Sequence, residues 1–140
     1  MNFPNVFELN NGIKMPKIGL GVLFAKNDVQ VEKAVQSSLS LGFRNIDSAS
    51  AYKNEEVVGK WLELSGLPRE DVFITTKVWN TEQGYDNTLK SFDESLKRLN
   101  TDYVDLYLIH WPVQTKYKET YKAMETIYAS GKAKAIGVCT

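Results

Sequence analysis

Apolar positions along the chain change period several times, and each change marks an element. Val6-Phe7-Glu8-Leu9 and Met15-Pro16-Lys17-Ile18 flank Asn10-Asn11-Gly12, and Asn-Gly accepts the left-handed backbone that a tight hairpin turn requires. A hairpin is expected over about 6–18. After Gly19-Leu20-Gly21-Val22, the apolar residues Val31, Ala34, Val35 and Leu39 recur at helical spacing. They lie behind a cap candidate at Asn27 or Asp28 and ahead of Gly42, which predicts a helix over about 28–41. Phe43 to Asp47 reads as a short strand. Asn54 then caps a helix carrying Val57, Val58, Trp61 and Leu62 that closes near Gly66-Leu67-Pro68.

Val72 to Lys77 is rich in β-branched and aromatic residues and is the third strand. Leu89, Phe92, Leu96 and Leu99 mark a third helix. Its Asp93/Lys97 and Glu94/Arg98 pairs place the acid four residues before the base, the favourable order for pairing within a helix. Val104 to His110 is a fourth strand stopped by Pro112. Tyr117, Tyr121, Met124 and Tyr128 share one face of a fourth helix ending at Gly131, which predicts that the tyrosines belong to the core. Ala135 to Val138 opens a fifth strand.

Strands alternating with amphipathic helices imply right-handed βαβ units and a parallel sheet. Two architectures compete. An open dinucleotide-binding sheet is signalled by G-x-G-x-x-G after the first strand, but Phe24 stands where the third glycine belongs. A (β/α)8 barrel needs about 250 residues, and five strands make roughly half of one.

Composition narrows the class. Of the 140 residues, 43% are hydrophobic, and 17 basic side chains balance 17 acidic ones. That describes a globular chain without the basic surplus that phosphate backbones attract, so no nucleic-acid partner is expected. No apolar run reaches the roughly 18 residues that span a bilayer, and Met1 to Asn5 lacks the regions of a secretory leader. We therefore expect a cytoplasmic protein without a membrane partner. One cysteine, Cys139, and one histidine, His110, leave no multi-cysteine or multi-histidine metal site within the chain. No metal is expected.

Reactive side chains fall at successive strand ends: Asp47, Lys77 and His110, with Tyr52 in the loop after Asp47. Barrel enzymes build active sites at that C-terminal rim. Gly42-Phe43-Arg44-Asn45-Ile46-Asp47-Ser48-Ala49, with Tyr52, Asn54, Glu55 and Gly59, resembles the first signature of the aldo-keto reductases. Lys77-Val78-Trp79-Asn80 and Asp102 to Pro112 are similar to its next blocks. The resemblance runs through nearly the whole chain. It implies an α/β fold in which an N-terminal hairpin precedes about half of a (β/α)8 TIM barrel, strands one to five with four helices. On this reading 1–140 is a single partial barrel domain, with β/α units over about 19–138 and the C-terminal half missing.

The resemblance also implies a catalytic tetrad of Asp47, Tyr52, Lys77 and His110. It implies NADPH as cofactor, with NADH left open, and a small-molecule carbonyl as substrate. Reducing a carbonyl needs a proton on the developing alkoxide, and an ammonium beside a phenol makes the phenol a stronger acid. Tyr52 is then the acid, Lys77 its ammonium, Asp47 the partner of Lys77, and His110 a hydrogen-bond donor to the carbonyl oxygen. Cofactor contacts are expected at Gly21, Val22, Asp47, Cys139 and Thr140, and substrate contacts at Leu23, Trp79 and Trp111. Val22 and Leu23 stand where many members have threonine and an aromatic residue. Half a barrel exposes strand edges, so self-association, or an inactive structural fragment, is the alternative reading.

Overall fold

The computed structural model describes residues 5–23 and 28–140; the cap candidate Asn27, Phe24 and the leader positions Met1 to Pro4 lie outside the described residues. Strands β1 (Val6–Glu8) and β2 (Lys14–Pro16) pair antiparallel, with Phe7 opposite Met15. Gly12 turns the chain between them at φ +85°, a conformation that costs glycine nothing. Then follow β3 (Leu20–Gly21), α1 (Asp28–Ser40), β4 (Asn45–Asp47), α2 (Glu55–Leu64), β5 (Phe73–Val78), α3 (Tyr85–Leu99), β6 (Leu106–Ile109), α4 (Tyr117–Ala129) and β7 (Ile136–Val138). The five later strands form one parallel sheet in the order β3-β4-β5-β6-β7. Sequential parallel strands, each returned by a helix, are the arrangement of part of a (β/α)8 barrel.

Alternation along each strand sorts side chains to two faces. Ile46, Ile74, Tyr107 and Ile109 turn toward the helices and join Val31, Val35, Val58, Phe92, Leu99 and Met124 in the main core. Phe73, Leu106 and Ala135 turn the other way and meet Leu9, Ile13 and Met15 of the hairpin. The hairpin thus covers the N-terminal ends of the strands. Two amide side chains fasten it there: Asn45 Nδ2 donates to the Pro16 carbonyl at 3.2 Å, and Asn11 Nδ2 to the Lys134 carbonyl at 2.9 Å.

The helices share buried polar contacts. Glu55, on α2, is buried and accepts from Thr76 Oγ1 of β5 at 2.5 Å and from Arg98 Nε of α3 at 2.8 Å. Gly59 lets α2 approach the end of α3, because a Cβ there would lie 2.5 Å from the Leu99 carbonyl group. No helix among the described residues is long and apolar enough to cross a membrane.

Three local expectations change. Asn54 stands at the N-cap of α2, but its side chain makes no cap bond; it donates to the Val22 carbonyl and accepts from Ser48 Oγ instead. The expected pairs within α3 do not form: Asp93 meets Lys132, Arg98 meets Glu55, and Glu94 meets Lys90. Arg98 reaches a carboxylate buried on α2, a partner that holds more firmly than an exposed one along the same helix, whereas Asp93 exchanges one exposed partner for another, Lys132 just beyond α4. Of the α4 tyrosines, Tyr121 packs partly buried against the core, but Tyr117 and Tyr128 do not belong to it. Thr120, Ala123, Met124 and Ile127 are the buried residues, while Tyr117 and Tyr128 are 38% and 43% exposed. A phenol tolerates that border because its hydroxyl stays in water while its ring covers apolar neighbours.

Candidate active site

Period-two alternation decides which reactive groups meet. In β5 the outward residues Ile74 and Thr76 face the helices, so Phe73, Thr75 and Lys77 face inward. By the same parity Asn45 and Asp47 of β4 face inward, as do Leu106, Leu108 and the following His110. The register places Asp47 beside Thr75 and Lys77 beside Leu108, so Asp47, Lys77 and His110 come together at the C-terminal rim. Tyr52 arrives from the 3₁₀ turn Ser50–Tyr52 that follows β4.

The Lys77 ammonium is buried, with the residue 4% exposed. It donates to Asp47 Oδ1 and, at 2.9 Å, to the Ser48 carbonyl. It lies 5.3 Å from the centroid of the Tyr52 ring. The Tyr52 and His110 rings meet edge to face at 5.5 Å, and Trp79 approaches His110 from another side at 5.0 Å. Burial lowers the His110 pKa below its ordinary 6.5, the Lys77 charge lowers it further, and Asp47 pulls the other way. A lowered pKa favours the neutral imidazole at pH 7. Its Nδ1 is buried without a hydrogen-bond partner among the described residues.

An open cleft of about 390 Å³ lies over these groups, walled by Leu23, Tyr52, Lys53, Trp79, His110 and Trp111. Aromatic and aliphatic walls around a few polar atoms suit a small, partly apolar ligand. The candidate substrate residues Leu23, Trp79 and Trp111 therefore line one cleft with Tyr52 and His110. Gly21, paired with Asp47, has open space where a Cβ would sit. Val22 is placed differently. Its side chain is in the core, its N–H donates to the Asp47 carbonyl, and its carbonyl accepts from Asn54. Cys139 continues β7, with its N–H bonded to the Ile109 carbonyl at 2.8 Å; it and Thr140 do not line the cleft.

Two residues next to the cleft escaped the sequence reading. Glu82 Oε2 accepts from Ser50 Oγ at 2.6 Å, Ser91 Oγ at 3.0 Å and the Trp79 N–H at 3.2 Å. Gln83 is fully buried; its Nε2 donates to the Trp111 carbonyl at 2.6 Å, and its Oε1 accepts from the Val113 N–H at 3.1 Å. The only signal available was Glu82 standing three residues after Trp79, the spacing at which a carboxylate reaches back to a backbone N–H.

Reactive side chains gathered at the C-terminal rim of parallel strands sit where barrel enzymes keep their chemistry. The Aldo/keto reductase family model matches residues 17–140, and the chain belongs to that family. It is 51% identical over 131 residues to a glyoxal reductase of Bacillus subtilis (strain 168), covering 94% of this chain and 48% of the relative. Identity to the methylglyoxal reductase DkgA of Escherichia coli (strain K12) is 46% over 138 residues, covering 97% and 49%. A solved aldo-keto reductase of Bombyx mori, in complex with NADP, matches with a TM-score of 0.87 at 34% identity, covering 95% of this chain and 49% of that one. The chain spans about half the length of the curated relatives it matches.

Proposed function

We propose that this chain carries the acid–base machinery of an NADPH-dependent reduction of small aldehydes and ketones, with 1,2-dicarbonyls such as glyoxal as the first substrates to test. The observation that carries the reading is the buried Lys77 ammonium, paired with Asp47 and 5.3 Å from the Tyr52 ring. Negative charge that develops on the phenol oxygen as it gives up a proton is stabilised by that ammonium. Tyr52 is the acid, and Asp47 holds Lys77 in place. His110, neutral at pH 7, donates a hydrogen bond to the substrate oxygen from the nitrogen that carries its proton. Leu23, Trp79 and Trp111 exclude water and orient the carbonyl.

No atom lies within 4 Å of where a Gly21 Cβ would sit, beside Asp47, which leaves backbone open to a ligand, and Gly21 and Asp47 would hold the nicotinamide portion there. The bound nicotinamide would supply the hydride. The cofactor of the Bombyx mori neighbour supports NADP(H), and the names of the bacterial relatives support dicarbonyls. A single cysteine accords with a reducing, cytosolic compartment.

Glyoxal-dependent loss of NADPH absorbance tests the reading, with the purified chain and with the same residues joined to the C-terminal half of the Bacillus subtilis relative. Tyr52→Phe is expected to reduce turnover at least about 100-fold, the usual contribution of a positioned acid. Saturable turnover untouched by Tyr52→Phe would refute it.

A second reading has its own observation. Ile109, Pro112, Tyr117, Tyr121 and Val138, bordered by charged residues of α4, line an open, mostly apolar cleft of about 840 Å³ beside β7, and among the described residues β7 has β6 alone as a strand neighbour. Association of two chains along this edge would cover it. Sedimentation of the folded chain decides: a monomer at all concentrations removes this reading.

A further inference from the structure

Glu82 and Gln83 stand side by side where the 3₁₀ turn Asn80–Glu82 leads toward α3, and between them they reach the rim loops on both sides. We propose that this pair positions the walls of the cleft, Glu82 setting Tyr52 and Trp79 while Gln83 sets Trp111. The inference rests on the reading of the cleft as the carbonyl site.

Both residues are placed for fastening. Three donors from separate parts of the chain converge on one oxygen of Glu82: the hydroxyl of Ser50, the backbone N–H of Trp79 and the hydroxyl of Ser91. Ser50 is buried and opens the turn that ends at Tyr52, so its bond to Glu82 fixes that turn relative to Trp79. Ser91 ties the same carboxylate to α3. Such charge-assisted bonds are stronger than neutral ones and strongly directional.

Gln83 uses both ends of its amide on the opposite loop, donating to the Trp111 carbonyl and accepting from the Val113 N–H. A fully buried amide that satisfies two backbone groups leaves that loop one favourable arrangement. The next residue continues the pattern, since the Gly84 N–H donates to Thr120 Oγ1 on α4. Tyr52 and Trp79 on one side and Trp111 on the other thus take their spacing from two adjacent residues, neither of which lines the cleft.

His110 offers a direct readout. It is the only histidine in the chain, and it lies 5.0 Å from Trp79 and 5.5 Å from Tyr52. Ring-current shifts of its imidazole C–H protons therefore report the positions of both aromatic walls. Proton NMR of the full chain would compare Glu82→Ala, Ser50→Ala, Gln83→Ala and Glu82→Gln with the parent, and Glu94→Gln on the exposed side of α3 would calibrate unrelated change.

Glu82→Ala and Ser50→Ala are expected to shift the His110 resonances well beyond the Glu94→Gln control through Tyr52 and Trp79, and Gln83→Ala through the freed backbone of Trp111, the residue that follows His110. Glu82→Gln, which keeps an acceptor oxygen, is expected to stay near the parent. Unchanged His110 signals in the folded alanine variants would overturn the proposal, as would a shift in Glu82→Gln as large as that in Glu82→Ala. Should Glu82→Ala fail to fold, Ser50→Ala decides alone, because it removes a single hydroxyl. The readout needs no turnover, so its failure is distinct from failure of the function proposed above.

Discussion

The Lys77–Asp47 pair is lopsided: the lysine side chain is 5% exposed and the aspartate 42%. Removing Asp47 leaves a buried ammonium with the Ser48 carbonyl and the Tyr52 ring but no counter-charge among the described residues, whereas removing Lys77 leaves a carboxylate that water can solvate. Asp47→Ala is therefore expected to cost about 3 kcal/mol of stability, and Lys77→Met within about 1 kcal/mol. Urea unfolding of the two variants checks the asymmetry. His110 adds a pH dependence. Its pKa is lowered in the folded chain by burial and by Lys77, so unfolding restores a value near 6.5 and the unfolded chain takes up the proton. Stability is expected to fall as pH drops below about 6.5 and to level off below the folded value; His110→Asn should flatten that segment of the unfolding profile. The placement of Asp47, Lys77 and His110 at successive strand ends was legible in the sequence, while the roles expected of them came from the family resemblance. Glu82 and Gln83 were not legible. A polar turn residue bonded to Ser50, 32 positions upstream, leaves no mark in the local pattern.

Between the elements, contacts depend on what each helix meets rather than on its own spacing. The order of charges along α3 suggested pairs worth a few tenths of a kcal/mol each, but Arg98 went to Glu55 on α2 and Asp93 to Lys132 beyond α4. Similarly, the tyrosine stripe of α4 has true helical spacing and lies at the edge of the buried face, because the neighbouring row of Thr120, Ala123, Met124 and Ile127 is the one that packs. Periodicity locates a helix and leaves its rotation to its neighbours. Gly59 is a sharper case, since the close approach of α2 to Leu99 leaves no room for a methyl group. Gly59→Ala is expected to destabilise the chain by about 1–3 kcal/mol, despite alanine's better helix propensity. A thermal melt that moved upward would contradict the packing described.

Across the whole molecule the sheet is firmest at its centre. β5 is paired on both sides and its residues are buried throughout, while among the described residues β3 and β7 form the two edges. Native-state hydrogen exchange is expected to be slowest in β5 and its partners and fastest in β3 and β7; uniform protection across the five strands would show an additional contact along an edge. The alternation of strands and helices was enough to read the parallel arrangement and roughly where each unit begins. The seat of the hairpin was not readable, because it depends on contacts such as Asn11 with Lys134, 123 positions apart. That seat divides the molecule into a reactive rim and an inert floor. Asn10 in the hairpin turn is exposed and lies at the end of the strands opposite Tyr52 and His110. A dye or surface tether attached there would hold the protein by its base and leave the cleft open to solution, a defined orientation for immobilised or single-molecule work.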